Sequence, residues 1–268
     1  MQQITLINDL KIHSKFLKRD VIFDVILPPN YENIPDKLSV LYLNDGQDMT
    51  ALKIESTLNK LYRSNEIIPF VLVAIHTNEN RMKEYGTAAM PDYKQRGNLA
   101  QQYNDFIINE LYVKIVTNYH VSSQKEDNFF AGFSLGGLSA IDIVWANPDK
   151  FSKVGVFSGS FWWRKKAYED GYDDHNDRIM HVLIRNGVFH EGQKFWFECG
   201  TNDEKDDRNG NGVIDSIDDT QDLITELINK GYQNGKDISY YEIKEGEHNQ
   251  QTWSEAMPIF LKWLFGKE

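Results

Sequence analysis

A chain of 268 residues, 41% hydrophobic and 13% aromatic, can bury a sizeable core and does not require a second domain. A formal net charge of −11 with no Lys/Arg cluster argues against nucleic acid or an anionic membrane as partner. The single cysteine, Cys199, excludes an internal disulfide and any multi-cysteine zinc site.

In chain order, the opening "MQQITLINDLKIHSKF" has no basic segment followed by an apolar one, and no later run approaches membrane-spanning length. A cytoplasmic protein is expected, or a secreted or periplasmic one if a leader has been removed. No linker, repeat or low-complexity tract divides residues 1–268, so one domain is expected. "DVIFDVILP" alternates and stops at Pro28–Pro29, which predicts an edge strand meeting a turn. Continuous apolar runs follow at 38–44, 70–75, 128–133, 153–159, 194–199 and 238–243, the pattern of strands buried on both faces. Helical patterns lie between or after them at 54–65, 98–119, 138–148, 220–231 and 253–265. The alternation predicts an α/β fold, a mostly parallel central sheet with helices on both faces and antiparallel N-terminal strands. Chemistry is then expected in loops beyond the carboxyl ends of the strands.

"AGFSLGG" follows the strand pattern "NFFA" and opens a helix. A serine flanked by Gly132 and Gly136 there can occupy a strained strand-to-helix turn with its hydroxyl exposed, which makes Ser134 the candidate nucleophile. A hydroxyl needs a base to accept its proton. Of the seven histidines, His248 in "EGEHNQQTW" stands after the last strand pattern and before the last helix, where the chain order Ser, acid, His places the base. His76 also follows a strand and is a candidate binding residue. The acid is expected after "KFWFEC": Asp203 in "GTND", with Glu204 as the alternative.

The remaining acids have another spacing. Asp207, Asn209, Asn211, Gly212, Val213, Asp215 and Asp218 occupy positions 1, 3, 5, 6, 7, 9 and 12 of an EF-hand-like loop, the arrangement that wraps oxygen ligands around calcium. A structural Ca²⁺ is expected within an acidic loop at 203–219, held by Asp207, Asn209, Asn211, the Val213 carbonyl, Asp215 and Asp218. Aspartate in place of glutamate at position 12 shortens the reach and predicts modest affinity.

Through "VILPPNY", "VLYLNDGQ", "RMKEY", "AGFSLGG", "FSGSFWW", "GTND" and "GEHNQQTW", nearly the whole chain resembles the putative esterase family of α/β-hydrolases, which includes enterochelin, feruloyl and acetylxylan esterases, S-formylglutathione hydrolases and mycolyltransferases. The resemblance implies a Ser134–Asp203–His248 triad and an oxyanion hole built from the backbone N–H groups of Gln47 and Leu135. It also implies Trp162 and Trp163 at an acyl or sugar pocket, although such a pair is equally common core material. Arg81 and Glu84 read as a structural ion pair near the site, residues 160–193 as a cap over it, and the acidic loop as an insertion. The implied activity is carboxylic ester hydrolysis through an acyl-enzyme without an organic cofactor. The implied substrate is a small molecule or carbohydrate carrying a polar, phenolic or siderophore-type ester. An acyltransferase with the same triad and an inactive calcium-binding protein on a hydrolase scaffold are the alternatives. The sequence carries no signal of oligomeric state.

Overall fold

A computed structural model describes residues 3–267. In chain order it contains β1 (Thr5–Ser14), β2 (Arg19–Leu27), β3 (Ser39–Asn44), α1 (Ile54–Arg63), β4 (Phe70–Ile75), α2 (Arg81–Glu84) and α3 (Ala100–Phe106). A π-helical turn, Ile107–Leu111, leads into α4 (Tyr112–Asn118), β5 (Asn128–Phe133), α5 (Leu135–Ala146) and β6 (Lys153–Phe157). Then follow α6 (Asp174–Asp177), α7 (Ile179–Asn186), β7 (Lys194–Asn202), α8 (Asp215–Lys230), β8 (Ile238–Glu247) and α9 (Gln250–Phe265).

The strands form one eight-stranded sheet in the order β1-β2-β4-β3-β5-β6-β7-β8. β1–β2 and β2–β4 are antiparallel and the other pairs parallel. Because strand side chains alternate between faces, neighbours such as Leu41 and Tyr42 feed separate cores. One core joins the sheet to α3, α4, α5, α7 and α8 through residues including Phe106, Ile115, Ile141, Ile184 and Leu223. The other joins it to α1 and α9 through Leu58, Leu61, Met257 and Phe260. Asn249 starts α9 by accepting the Thr252 N–H, and Gly231, with φ 118°, ends α8 in a conformation that favours glycine.

The edges differ from the sequence expectation. β2 lies inside the sheet because β1 pairs along its outer side. β1 escapes an apolar-alternation reading because it is largely exposed and bulged between Ile7 and Leu10. β8 is the opposite edge rather than a strand buried on both faces, and much of it is exposed. The excursion at 160–193 also divides. Its first half is mostly irregular, whereas α7 packs against α8 and α5 as the crossover helix that the parallel pair β6–β7 requires.

Candidate active site

Ser134 lies between β5 and α5 with φ 54° and ψ −122°, a conformation that costs a non-glycine residue on the order of 1–3 kcal/mol. Its surroundings hold it there: its N–H donates to Phe157 O at 2.8 Å, and its carbonyl accepts from Ser160 N–H at 3.2 Å. The flanking glycines are steric necessities. A Cβ on Gly132 would lie 2.2 Å from Gly136 O, and one on Gly136 would lie 2.6 Å from an Asp45 carboxylate oxygen.

The loop after β8 brings His248 Nε2 to 2.8 Å from Ser134 Oγ. Its Nδ1 lies 4.0 Å from Asp203 Oδ2, beyond hydrogen-bond length. Burial lowers the His248 pKa below the ordinary imidazole range; Asp203 opposes that shift and Arg81 adds to it. Burial raises the Asp203 carboxyl, while the Ser158 hydroxyl facing it and His248 pull it back. Ser158 Oγ accepts from Trp253 Nε1 at 2.9 Å, and the Trp253 ring stands edge-on to His248 at 5.2 Å between centroids. Glu204 faces the acidic loop, where burial and then Asp215, Asp219 and Asp206 raise its pKa to about 7 against the Ser216 backbone.

Gln47 and Leu135 occupy first-turn positions of a 3₁₀ turn and of α5, where backbone N–H groups have no intrahelical acceptor. Asn44 ties the two together by donating Nδ2–H to Gly136 O at 2.8 Å. Arg81 clasps Asp45 through two 2.8 Å bonds and reaches Phe133 O at 3.4 Å, bracing both backbones. The expected Arg81–Glu84 pair is therefore corrected: Glu84 is held instead by Arg19, at 2.8 and 2.5 Å. On a helix as short as α2 the two side chains turn to different strands.

A model of the family described as "Putative esterase" matches residues 14–264. The chain belongs to this esterase family. Membership supports a serine esterase. Among curated relatives, the uncharacterized protein YbbA of Bacillus subtilis (strain 168) is 24% identical over 251 residues, covering 91% of this chain and 92% of YbbA. Among solved structures, a ferulic acid esterase shares the fold with a TM-score of 0.74 and 18% identity over 99% of both chains. The enterobactin esterase FES of Shigella flexneri has a TM-score of 0.76 and 19% identity, over 98% of this chain and 59% of FES.

Two clefts of the esterase are lined by residues singled out in the sequence, neither of them by Ser134 or His248. One of about 280 Å³ is lined by Tyr93, Arg96, Trp162, Arg164, Tyr168 and Glu204, among others. Trp162 is half-buried there, whereas Trp163 is fully buried, its ring against Gly86 and Gly97. Trp163 thus belongs to the core rather than to a pocket. The other cleft, about 960 Å³, is lined by Gln47, His76 and one side of α1, so it borders Gln47 without reaching Ser134 or His248. His76 is paired there with Asp24 at 2.7 Å.

In the acidic loop, Asp207 accepts from the N–H groups of Gly210, Asn211 and Gly212 at 2.8–3.2 Å. Asn209 and Asn211 donate to Asp218 Oδ2 at 2.9 and 2.8 Å. Asp215 is turned away: Arg208 donates its N–H to Asp215 Oδ1 at 2.9 Å, and its guanidinium also pairs with Asp174 and Asp219. Among the described residues no three His, Cys, Asp or Glu side chains group as cation ligands, and the loop's oxygen donors are mixed carboxylates, amides and a carbonyl.

Asp45, Ser158, Trp253 and the buried Glu198 of β7 escaped the sequence reading. Glu198 left a signal of its own, as a lone acid in the apolar run "KFWFEC", whereas the other three lie inside the motifs "VLYLNDGQ", "FSGSFWW" and "GEHNQQTW" without their roles being marked.

Proposed function

We propose that this esterase hydrolyses small-molecule carboxylic esters through an acyl-enzyme on Ser134, with His248 as base and Asp203 as the acid that orients it. The observation that carries the reading is the 2.8 Å contact between His248 Nε2 and the Oγ of a serine held in a strained turn. His248 takes the hydroxyl proton as Oγ attacks the ester carbonyl, and the Gln47 and Leu135 N–H groups stabilise the oxyanion. The protonated imidazole gives its proton to the departing alcohol. Water, deprotonated by the same imidazole, then attacks the acyl carbon and releases the acid and free Ser134. The aromatic and charged cleft at Trp162, two residues past the Ser160 that bonds Ser134 O, supports a polar or aromatic ester such as an acylated sugar, phenolic or siderophore ester. The ferulic acid and enterobactin named for two fold neighbours are of that kind.

A short-chain p-nitrophenyl ester tests the reading: Ser134→Ala should lower kcat by about 10⁴-fold or more. A folded wild type with no turnover in calcium, or a variant with full turnover, sinks it.

A structural calcium ion is proposed for the loop. The Asp207 cradle already has the turn such an ion needs, and a half-rotation of either asparagine amide presents an oxygen beside Asp218. Asp207, Asn209, Asn211, the Val213 carbonyl and Asp218 would hold it, with Asp215 joining only through water because Arg208 claims its carboxylate. The ion would supply positive charge that rigidifies the loop. Calcium at about a hundred times its Kd should raise the Tm by about 5 °C over chelator, and Asp207→Ala should abolish the difference. Equal Tm in calcium and chelator removes the ion from the account.

A further inference from the structure

Glu198 sits in the middle of β7, its side chain on the same sheet face as Trp196 and beside Phe157, its cross-strand neighbour in β6. It is 0% exposed. Among the described residues neither of its carboxyl oxygens has a hydrogen-bond partner, and no lysine or arginine forms a salt bridge with it. Asp203, five residues along, likewise has no hydrogen-bond partner on either oxygen but faces His248 and the Ser158 hydroxyl. Two carboxyls, one within β7 and one just after it, are thus buried without hydrogen bonds, and only Asp203 has an imidazole, at 4.0 Å, facing a negative charge. An isolated carboxylate in an apolar layer is far costlier than a neutral acid.

We propose that Glu198 is a positioning residue that acts on His248 through Asp203: it holds its proton, leaves Asp203 as the single negative charge beneath the imidazole, and disables that alignment when it ionises. This rests on the triad reading above.

The surroundings agree in sign. Burial first, and the Asp203 charge second, push the Glu198 carboxyl up to about 8, with only the Ser158 backbone opposing. Cys199, the next residue, is buried and its thiol is raised well above its usual range, so it adds no charge at neutral pH. His248, after β8, feels Asp203 and Arg81, while α9 contributes the uncharged Trp253. As pH rises through 8, a second carboxylate appears beside Asp203 and repels it. That repulsion displaces Asp203 from its place 4.0 Å from His248 Nδ1, the alignment that catalysis needs. The consequence is an alkaline limit on turnover set by a residue that touches neither substrate nor histidine.

Glu198→Gln, which mimics the protonated acid, tests this, with Glu198→Met as a second neutral side chain of similar length. In the wild type, kcat/KM for a p-nitrophenyl ester should fall about tenfold per pH unit above pH 8, through kcat rather than KM. In either variant the profile should stay flat to pH 9.5 with neutral-pH turnover within about threefold of wild type. Thermal unfolding reads the same proton without chemistry. A glutamate that titrates near 4.3 when unfolded and about 8 when folded costs the wild type stability increasingly across that window, so the Tm advantage of Glu198→Gln should grow by roughly 5 °C from pH 5 to pH 8 and then level off. A variant that keeps the wild-type alkaline limb, a Tm difference independent of pH, or a wild type with flat kcat/KM from pH 7 to 9.5 overturns the proposal. Absence of turnover in wild type and variants alike would refute the esterase mechanism, while the Tm series would still decide which carboxyl keeps the proton.

Discussion

The two halves of the site are held by different physics. Around Ser134 every constraint is short-range and satisfied: the strained turn is pinned by Phe157 O, the glycines leave no room for a Cβ, and Arg81 closes on Asp45 with two 2.8 Å bonds. Around Asp203 the constraints are long-range and, among the described residues, unsatisfied: 4.0 Å to His248, carboxyl oxygens without partners on Asp203 and Glu198, and a loop with no regular element until α8. Steric rules fix Ser134 to tenths of an ångström, because close-packed backbone has no neighbouring minimum to slip into. Buried charge fixes the acid only to about an ångström, but it responds to pH, ions and a substrate's charge.

Replacing the acid should test the loose half most strongly. Asp203→Asn keeps the shape and removes the charge that holds the imidazole in its tautomer, so kcat should fall by about 10³-fold, whereas Glu204→Gln should change it less than about threefold. A loss of similar size for Glu204→Gln, or none for Asp203→Asn, would move the triad acid by one residue. On the tight half, Arg81→Lys keeps a cation but cannot bridge both Asp45 oxygens. Turnover should fall about 10²-fold with KM little changed, because the oxyanion amides lose their brace. A purely local loss of stability, seen as lower Tm with unchanged kcat, would show that the brace is irrelevant to chemistry.

This division also explains what could be read from residues alone. The tight half is written locally: Gly132-x-Ser134-x-Gly136 after an apolar run carries its own geometry, and His248 follows from chain order. The parallel core strands are equally legible because burial on both faces leaves continuous apolar runs. β1 leaves no apolar alternation to read, and β8 departs from a strand buried on both faces, because an edge strand owes its hydrogen bonds to one neighbour and its sequence to solvent. The partner of Arg81 was not legible, since Asp45 lies 36 residues away and only the β3–β4 pairing brings it near. Trp253 read as the start of an amphipathic helix, and nothing in its spacing announces an indole N–H aimed at Ser158.

That indole is the link between the halves, since Ser158 follows β6 beside the Ser134 turn and faces Asp203. Trp253→Phe keeps the ring against His248 and deletes only the N–H to Ser158, a net loss of about 1 kcal/mol for a neutral hydrogen bond. Ser158 Oγ, freed from the indole, is no longer held facing Asp203, so the acid loses orientation rather than a hydrogen bond. kcat should drop about five-fold with KM unchanged, a ratio equivalent to about 1 kcal/mol. Ser158→Ala removes the donor as well and should cost more. If both substitutions leave kcat at the wild-type value while lowering Tm, Asp203 is positioned by burial alone and the electrostatic half of the site stands without this support.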